Sequence, residues 1–165
     1  MFIDWKSNLL PRGGIALPFS FREKDILWKF VKLLRMTEYY EDIHNKLFAN
    51  FFRLLLRRMT FKYSLHIPPH VCGEGLSIAH TGPIVINQNC RIGKNCRIHV
   101  GVNIGPNGGN SPEIGNNVYI GPGAKIFGDI RIADNIKIGA NAVVNKSCDL
   151  SGVVLVGVPA RPVIK

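Results

Sequence analysis

The chain's capacity for proton transfer near neutral pH rests on five histidines: His44, His66, His70, His80 and His99. An imidazole titrates close to neutrality, so it can take a proton from one reacting group and return it to another. The five differ in setting. His80 lies between Ile78-Ala79 and Thr81-Gly82-Pro83, where the spacing of the surrounding aliphatic residues slips by two. His99 follows an aliphatic residue at a place where neighbouring segments carry Gly93 and Gly105, and a bulky polar group there needs a reason. It is a candidate for orienting substrate or an oxyanion. His66 and His70 flank the Pro68-Pro69 break and are weaker candidates, and His44 is expected to face solvent on a helix. The run Gly105-Pro106-Asn107-Gly108-Gly109-Asn110 offers backbone N–H groups that can approach a carbonyl or phosphate closely. It has no Walker lysine, so nucleoside triphosphate binding is not indicated. Cys72, Cys90, Cys96 and Cys148 form no C-x-x-C pair, so neither a metal site nor a redox motif is expected. Cys90 and Cys96 are expected to stack as small apolar groups in the core.

The elements that must position these groups follow from a repeat. Ile114, Ile120, Ile126, Ile132, Ile138, Val144, Leu150 and Val156 recur every six residues, and Ile86, Ile92, Ile98 and Ile104 form a second run at the same spacing. Ile78 and Ile84 make a third, two residues out of register, and four extra residues separate Ile104 from Ile114. A second column sits two places before the first: Cys90, Cys96, Val102, Val118, Ala124, Ile130, Ile136, Ala142 and Cys148. Residues two apart on a strand share a face, so both columns point into one core. Gly, Asn, Asp and Pro punctuate the short strands as turn residues. This is the pattern of a parallel β-helix of hexapeptide repeats, and it fills residues 64–165. A β-sandwich would show hairpin loops of varied spacing instead.

Residues 1–63 read as a short α-helical segment. Pro11, Gly13, Gly14 and Pro18 break regular structure, and Ser20 with Glu23 matches a capping box for a helix from about Phe21 to Met36. Thr37 is expected to cap a second helix whose apolar face is Ile43, Leu47, Phe51, Leu55 and Met59. Arg53, Arg57, Arg58 and Lys62 gather towards its end.

With 46% hydrophobic and 19% charged residues, the composition is that of a soluble globular chain rather than a disordered one. No apolar run approaches the roughly 20 residues that cross a bilayer. Met1 to Leu10 lacks the compact apolar core of a signal peptide, so a cytoplasmic location is expected. The net charge of +10 attracts polyanions in general, a phosphorylated cofactor among them. No nucleic-acid motif accompanies it, and a nucleic-acid partner is not expected.

Three stretches carry a resemblance. They are Gly75-Leu76-Ser77-Ile78-Ala79-His80-Thr81-Gly82-Pro83-Ile84-Val85-Ile86, Ile120-Gly121-Pro122-Gly123-Ala124-Lys125-Ile126-Phe127-Gly128, and Val156-Gly157-Val158-Pro159-Ala160-Arg161-Pro162. Through them the chain resembles the hexapeptide-repeat acyltransferases, in the serine acetyltransferase-like branch. The resemblance implies a left-handed β-helix, a homotrimer with active sites between subunits (paired trimers are an option), acetyl-CoA as co-substrate and His80 as general base. It places Gly105 and Asn107 beside the CoA arm, has Gly121, Pro122, Gly123 and Ala140 line the pantetheine groove, and makes Lys137 and Arg161 candidates for the CoA phosphates.

The match has departures. Serine acetyltransferases pair the catalytic His with the carboxylate of an Asp-Ile-His-Pro stretch; here Ser64-Leu65-His66-Ile67-Pro68 puts Leu65 at that place. Ala79 stands where the family has an acidic residue, and Ser111 where a second active-site His precedes a Pro. The expected outcome is the same donor and base with a different acceptor, a sugar hydroxyl of surface-polysaccharide synthesis. Serine O-acetylation for cysteine biosynthesis is the alternative, and a non-catalytic β-helix scaffold the alternative of another class. The carboxylate partner of His80 is open between Glu74 and another subunit. The helices are expected to pack on the prism or on a second trimer, ahead of membrane contact by their arginines.

Overall fold

The computed structural model describes Asp4 and residues 22–163. Pro11, Gly13, Gly14, Pro18, Ser20 and Phe21 lie outside them. Helix α1 spans Glu23–Asp42. Its inward stripe is Leu27, Phe30, Val31 and Leu34, all fully buried and spaced as one helical face requires. Glu23 and Asp25 in the first turn complement the helix dipole.

The break expected after Met36 is absent. Thr37 does not cap anything: its Oγ1 donates back to the Leu33 carbonyl at 2.8 Å, and the helix continues through it. The turn comes at Ile43–Asn45. His44 is exposed there with φ 56°, in the turn rather than on a helix. Asn45 caps α2, Lys46–Tyr63, by accepting from the Phe48 amide at 3.2 Å.

The expected face of α2 is also corrected. Ala49 and Leu56 are the buried residues, with Met59 and Tyr63 packed against the core, whereas Ile43, Leu47 and Phe51 are exposed. A row of strict four-residue steps drifts by about 40° per step around a 3.6-residue helix. It therefore cannot stay on one face over four steps.

After the αL cap Ser64, the chain winds through about five turns of a β-solenoid, the left-handed hexapeptide β-helix expected. Its strands are β1 Leu65–His66, β2 Ser77–Ile78, β3 Ile84–Ile86, β4 Arg91–Ile92, β5 Arg97–Ile98, β6 Asn103–Gly105, β7 Glu113–Ile114, β8 Tyr119–Ile120, β9 Lys125–Phe127, β10 Arg131–Ile132, β11 Lys137–Ile138, β12 Val143–Val144, β13 Val154–Gly157 and β14 Ala160–Val163. They stack into three faces: β1-β3-β6-β9-β12, β4-β7-β10, and β2-β5-β8-β11-β13-β14. We call these the first, second and third faces. Ile78, Ile98, Ile120 and Ile138 align across the third, and Ile86, Ile104, Ile126 and Val144 across the first. Both columns of the repeat are buried from Cys90 to Val144.

The register ends sooner than the spacing predicts. Cys148 bridges Ile132 and Leu155 pairs with Ile138, so Leu150 (54% exposed) and Val156 (40%) leave the core. The last coil is cut short to turn into the antiparallel hairpin β13–β14, which closes that end of the prism.

The other end is closed by α1. Arg35 donates to the Cys72 and Gly73 carbonyls at 2.8 and 2.5 Å, while Asp4 Oδ1 accepts from the Gly75 and Leu76 amides at 3.0 and 3.2 Å. Arg35 also pairs with Asp4 (3.2 Å) and Glu38 (2.8 Å). These side chains satisfy backbone groups of the first coil that no further coil would reach.

Candidate active site

His80 sits in the turn that leaves the third face for the first. That turn joins Ile98 to Ile104 and Ile120 to Ile126 at six-residue spacing, yet takes eight from Ile78 to Ile86. The slip in the repeat is thus a two-residue insertion in the turn that holds His80, Thr81 and Gly82. The helices pin it. The Gly82 amide donates to the Tyr63 carbonyl at 3.2 Å, the Ile84 amide to the Ser64 carbonyl at 2.9 Å, and Gly82 has φ 129°, a conformation few other residues adopt.

The carboxylate missing at Leu65 comes from the first turn of α1. Glu23 Oε1 accepts from the Thr81 amide (2.7 Å) and hydroxyl (3.1 Å), and its Oε2 lies 3.3 Å from His80 Nδ1. Burial pushes the Glu23 carboxyl up, but the bonds from Thr81 and His80 outweigh it and hold the carboxyl below its ordinary value. It is therefore ionised at neutral pH, and Nδ1–H facing it leaves the His80 Nε2 lone pair as a base. Glu74 is not the partner, since it pairs with Lys94 at 2.8 Å. Sequence reasoning spent Glu23 on a helix cap. Nothing local to His80 points to a residue 57 positions away.

His99 is the next group along this edge. Its ring lies 6.2 Å from His80 and 5.0 Å from Tyr119, centroid to centroid. It occupies a column with Ala79, Gly121 and Gly139. A Cβ on Gly121 would come within 2.8–2.9 Å of the backbone of Ile138, Gly139 and Ala140, which explains glycine there. The turn beyond that column carries His80, Val100, Pro122 and Ala140, with Gly82 rather than His80 against Val100. The fold therefore brings His80, His99, Gly121, Pro122, Gly123 and Ala140 onto one edge. Exposed Lys137 lies just before that edge on β11, and exposed Arg161 on the closing hairpin.

It does not bring Gly105 and Asn107 there. They belong to the turn from the first face to the second, another edge of the prism. Added Cβ atoms on Gly108 and Gly109 of that loop would meet nothing within 4 Å in this chain. A cleft of about 730 Å³ lies between α2 and the first face, lined by Arg53, Arg57, Phe61, His66, Asn103 and Gly105 among others, but not by His80 or His99. His66 meets Phe61 edge-on at 5.8 Å, and His70 pairs with Glu41 at 2.9 Å. All four cysteines are free and buried, and burial raises the Cys96 thiol to about 11. Among the described residues no group of His, Cys, Asp and Glu is placed to hold a metal.

Residues 111–146 match the family described as bacterial transferase hexapeptide (six repeats). No curated protein matches the chain. Among solved structures, it is similar to serine acetyltransferase from Brucella abortus strain S19 (TM-score 0.77, 26% identity, covering 98% of this chain and 66% of that one). The same enzyme in complex with coenzyme A gives 0.76 and 28%, covering 98% and 65%. Neisseria gonorrhoeae serine acetyltransferase in complex with serine gives 0.75 and 27%, covering 99% and 67%. The chain spans just under two thirds of the first of these, at 66% of its length. It has the hexapeptide-repeat β-helix of the serine acetyltransferase-like acyltransferases.

Proposed function

We propose that this hexapeptide-repeat chain is an acetyl-CoA-dependent O-acetyltransferase, working as a homotrimer, with serine as its leading acceptor. The observation that carries the reading is the His80–Glu23 pair: an imidazole whose Nδ1 meets a fixed carboxylate and whose Nε2 is left to act. His80 Nε2 takes the proton of the acceptor hydroxyl as its oxygen attacks the thioester carbonyl. The C–S bond then breaks, and the proton passes to the leaving thiolate, giving the O-acetyl ester and free thiol. Similar structures with coenzyme A and with serine bound support the donor and the acceptor. Gly121, Pro122, Gly123 and Ala140 would line the pantetheine groove, Lys137 and Arg161 would meet the phosphates, and His99 would orient the acceptor.

A site shared between copies supports the trimer. His80 and the Gly105–Asn110 loop occupy different edges of one prism, so a site using both needs two copies. The open space at Gly108 and Gly109 suits a neighbouring copy or its ligand. A saccharide hydroxyl, which the sequence favours, remains the second reading. Ala79 and Ser111 support it, standing where serine acetyltransferases carry an acid and a histidine. The Leu65 departure no longer counts towards it, because Glu23 supplies that carboxylate.

The test is thiol release from acetyl-CoA with serine and with candidate sugars. Serine turnover that falls by about 10²-fold or more in His80→Ala is expected. Turnover of a sugar but not of serine would transfer the case to the second reading. No release with any acceptor and no calorimetric heat on adding CoA would leave a non-catalytic scaffold.

A further inference from the structure

We infer that the outward face of α2 is a docking surface for an anionic lipid bilayer. This goes beyond the acetyltransferase reading and stands independently of it. The inward face of α2, with the buried Ala49 and Leu56, is used against α1 and β1. Its opposite face presents Leu47 (77% exposed), Phe51 (53%) and Leu54 (60%) along one arc. Phe48 borders that arc at 46% exposed. Exposed large hydrophobics this closely grouped mark an interaction surface rather than ordinary scatter.

The charges decide what the partner is. Helix α2 contains no acidic residue and five basic ones: Lys46, Arg53, Arg57, Arg58 and Lys62. Arg53 is held by Glu41 at 2.6 Å. Among the described residues, none of the other four lies within ion-pairing distance of a carboxylate, and Arg57 instead stands over the Phe61 ring at 5.6 Å. An amphipathic helix with Phe and Leu on its apolar face and only cations around it fits the headgroup–acyl boundary of an anionic membrane.

A second copy of the chain fits less well. It would bring the same cations against these, and Glu23, Glu38, Glu41, Glu74 and Glu113 are already engaged within their own chain. A nucleic acid would satisfy the cations but leave the aliphatic side chains Leu47 and Leu54 without a counterpart. No helix among the described residues is long and apolar enough to cross a membrane, so the contact is with the surface.

The test is co-sedimentation of the full chain with vesicles of equal parts phosphatidylcholine and phosphatidylglycerol, against phosphatidylcholine alone. Binding to the anionic vesicles that weakens with added salt is expected. It should drop by about ten-fold or more in Leu47→Glu/Leu54→Glu, and by about five-fold for each of Arg58→Ala and Lys62→Ala. These positions are exposed and outside the site, so circular dichroism, melting temperature and acetyl transfer to soluble acceptors should not change. Equal binding to both vesicle types, or none, overturns the proposal. So does a concentration-dependent doubling of particle mass in ultracentrifugation that Leu47→Glu/Leu54→Glu abolishes, since a second copy would then cover the face.

Discussion

The first coil of the prism and the coils that follow are built from the same kind of repeat but are held differently. Later coils hold each other: the Gly123 amide donates to Val100, that of Asn141 to Pro122, and Asn95, Asn117 and Asn135 form a side-chain ladder along another edge. The first coil has no neighbour on one side. There Asp4, Arg35 and Glu23 of α1, and the Tyr63 and Ser64 carbonyls at the end of α2 supply the missing partners. The two-residue insertion with His80 sits in this coil, which can accept it because helices rather than another coil lie against it. Extra residues in a turn between stacked coils loop outwards, as at Gly105–Asn110, where added Cβ atoms on Gly108 and Gly109 would meet nothing within 4 Å, whereas in the first coil the helices hold them. The candidate site therefore lies where the repeat is interrupted.

Four perturbations would sharpen or break this contrast. The largest is His80→Ala, expected to lower kcat by about 10²–10⁴-fold with little change in melting temperature. An unchanged rate would remove the first coil's claim to the chemistry. Next is Arg35→Ala, which removes the cation paired with Asp4 and Glu38 and uncaps the Cys72 and Gly73 carbonyls. It should cost about 3–5 kcal/mol in denaturant unfolding, and a loss below about 1 kcal/mol would mean that the coil closes without its helix.

Glu23→Gln comes third. It can still accept from Thr81, but its amide donates to His80 Nδ1 and moves the ring proton to Nε2. A kcat loss of about 10-fold or more is expected. The same carboxylate makes a pH prediction. Its folded pKa is depressed, so its stabilisation of the α1 junction is complete above the ordinary carboxylate pKa and disappears as pH falls through the folded value. Fluorescence of Trp28, which packs against the core on α1, should report that loosening in acid, and a response unchanged by Glu23→Gln would reject the assignment. The smallest is Gly121→Ala in the later coils, expected to cost about 1–3 kcal/mol because its Cβ would meet backbone of the next coil. A neutral result would mean that those turns yield more readily than their spacing implies.

Much of this was legible in the residues. Aliphatics repeating every six positions predict stacked strands, since nothing else keeps that period, and both inward columns are buried from Cys90 to Val144. The interruptions were legible too, as the slip after Ile78 and the insertion after Ile104. The helix boundary was not, because Thr37 can cap or continue a helix and only its bond to the Leu33 carbonyl distinguishes the two. Nor was the buried face of α2, whose apolar residues surround much of its circumference. Leu150 and Val156 kept the spacing while the chain had already left the coil to form its closing hairpin.

The sequence by itself determined the β-helix, the place of its defects and His80 as the histidine in the principal one. Those are local or periodic properties, and short-range spacing is enough to specify them. Only the tertiary structure decided that Glu23 faces His80, that the Gly105–Asn110 loop lies on another edge, and that Leu47, Phe51 and Leu54 stay exposed. Each depends on how elements far apart in sequence come to rest against one another, and no residue type or spacing encodes that distance on its own.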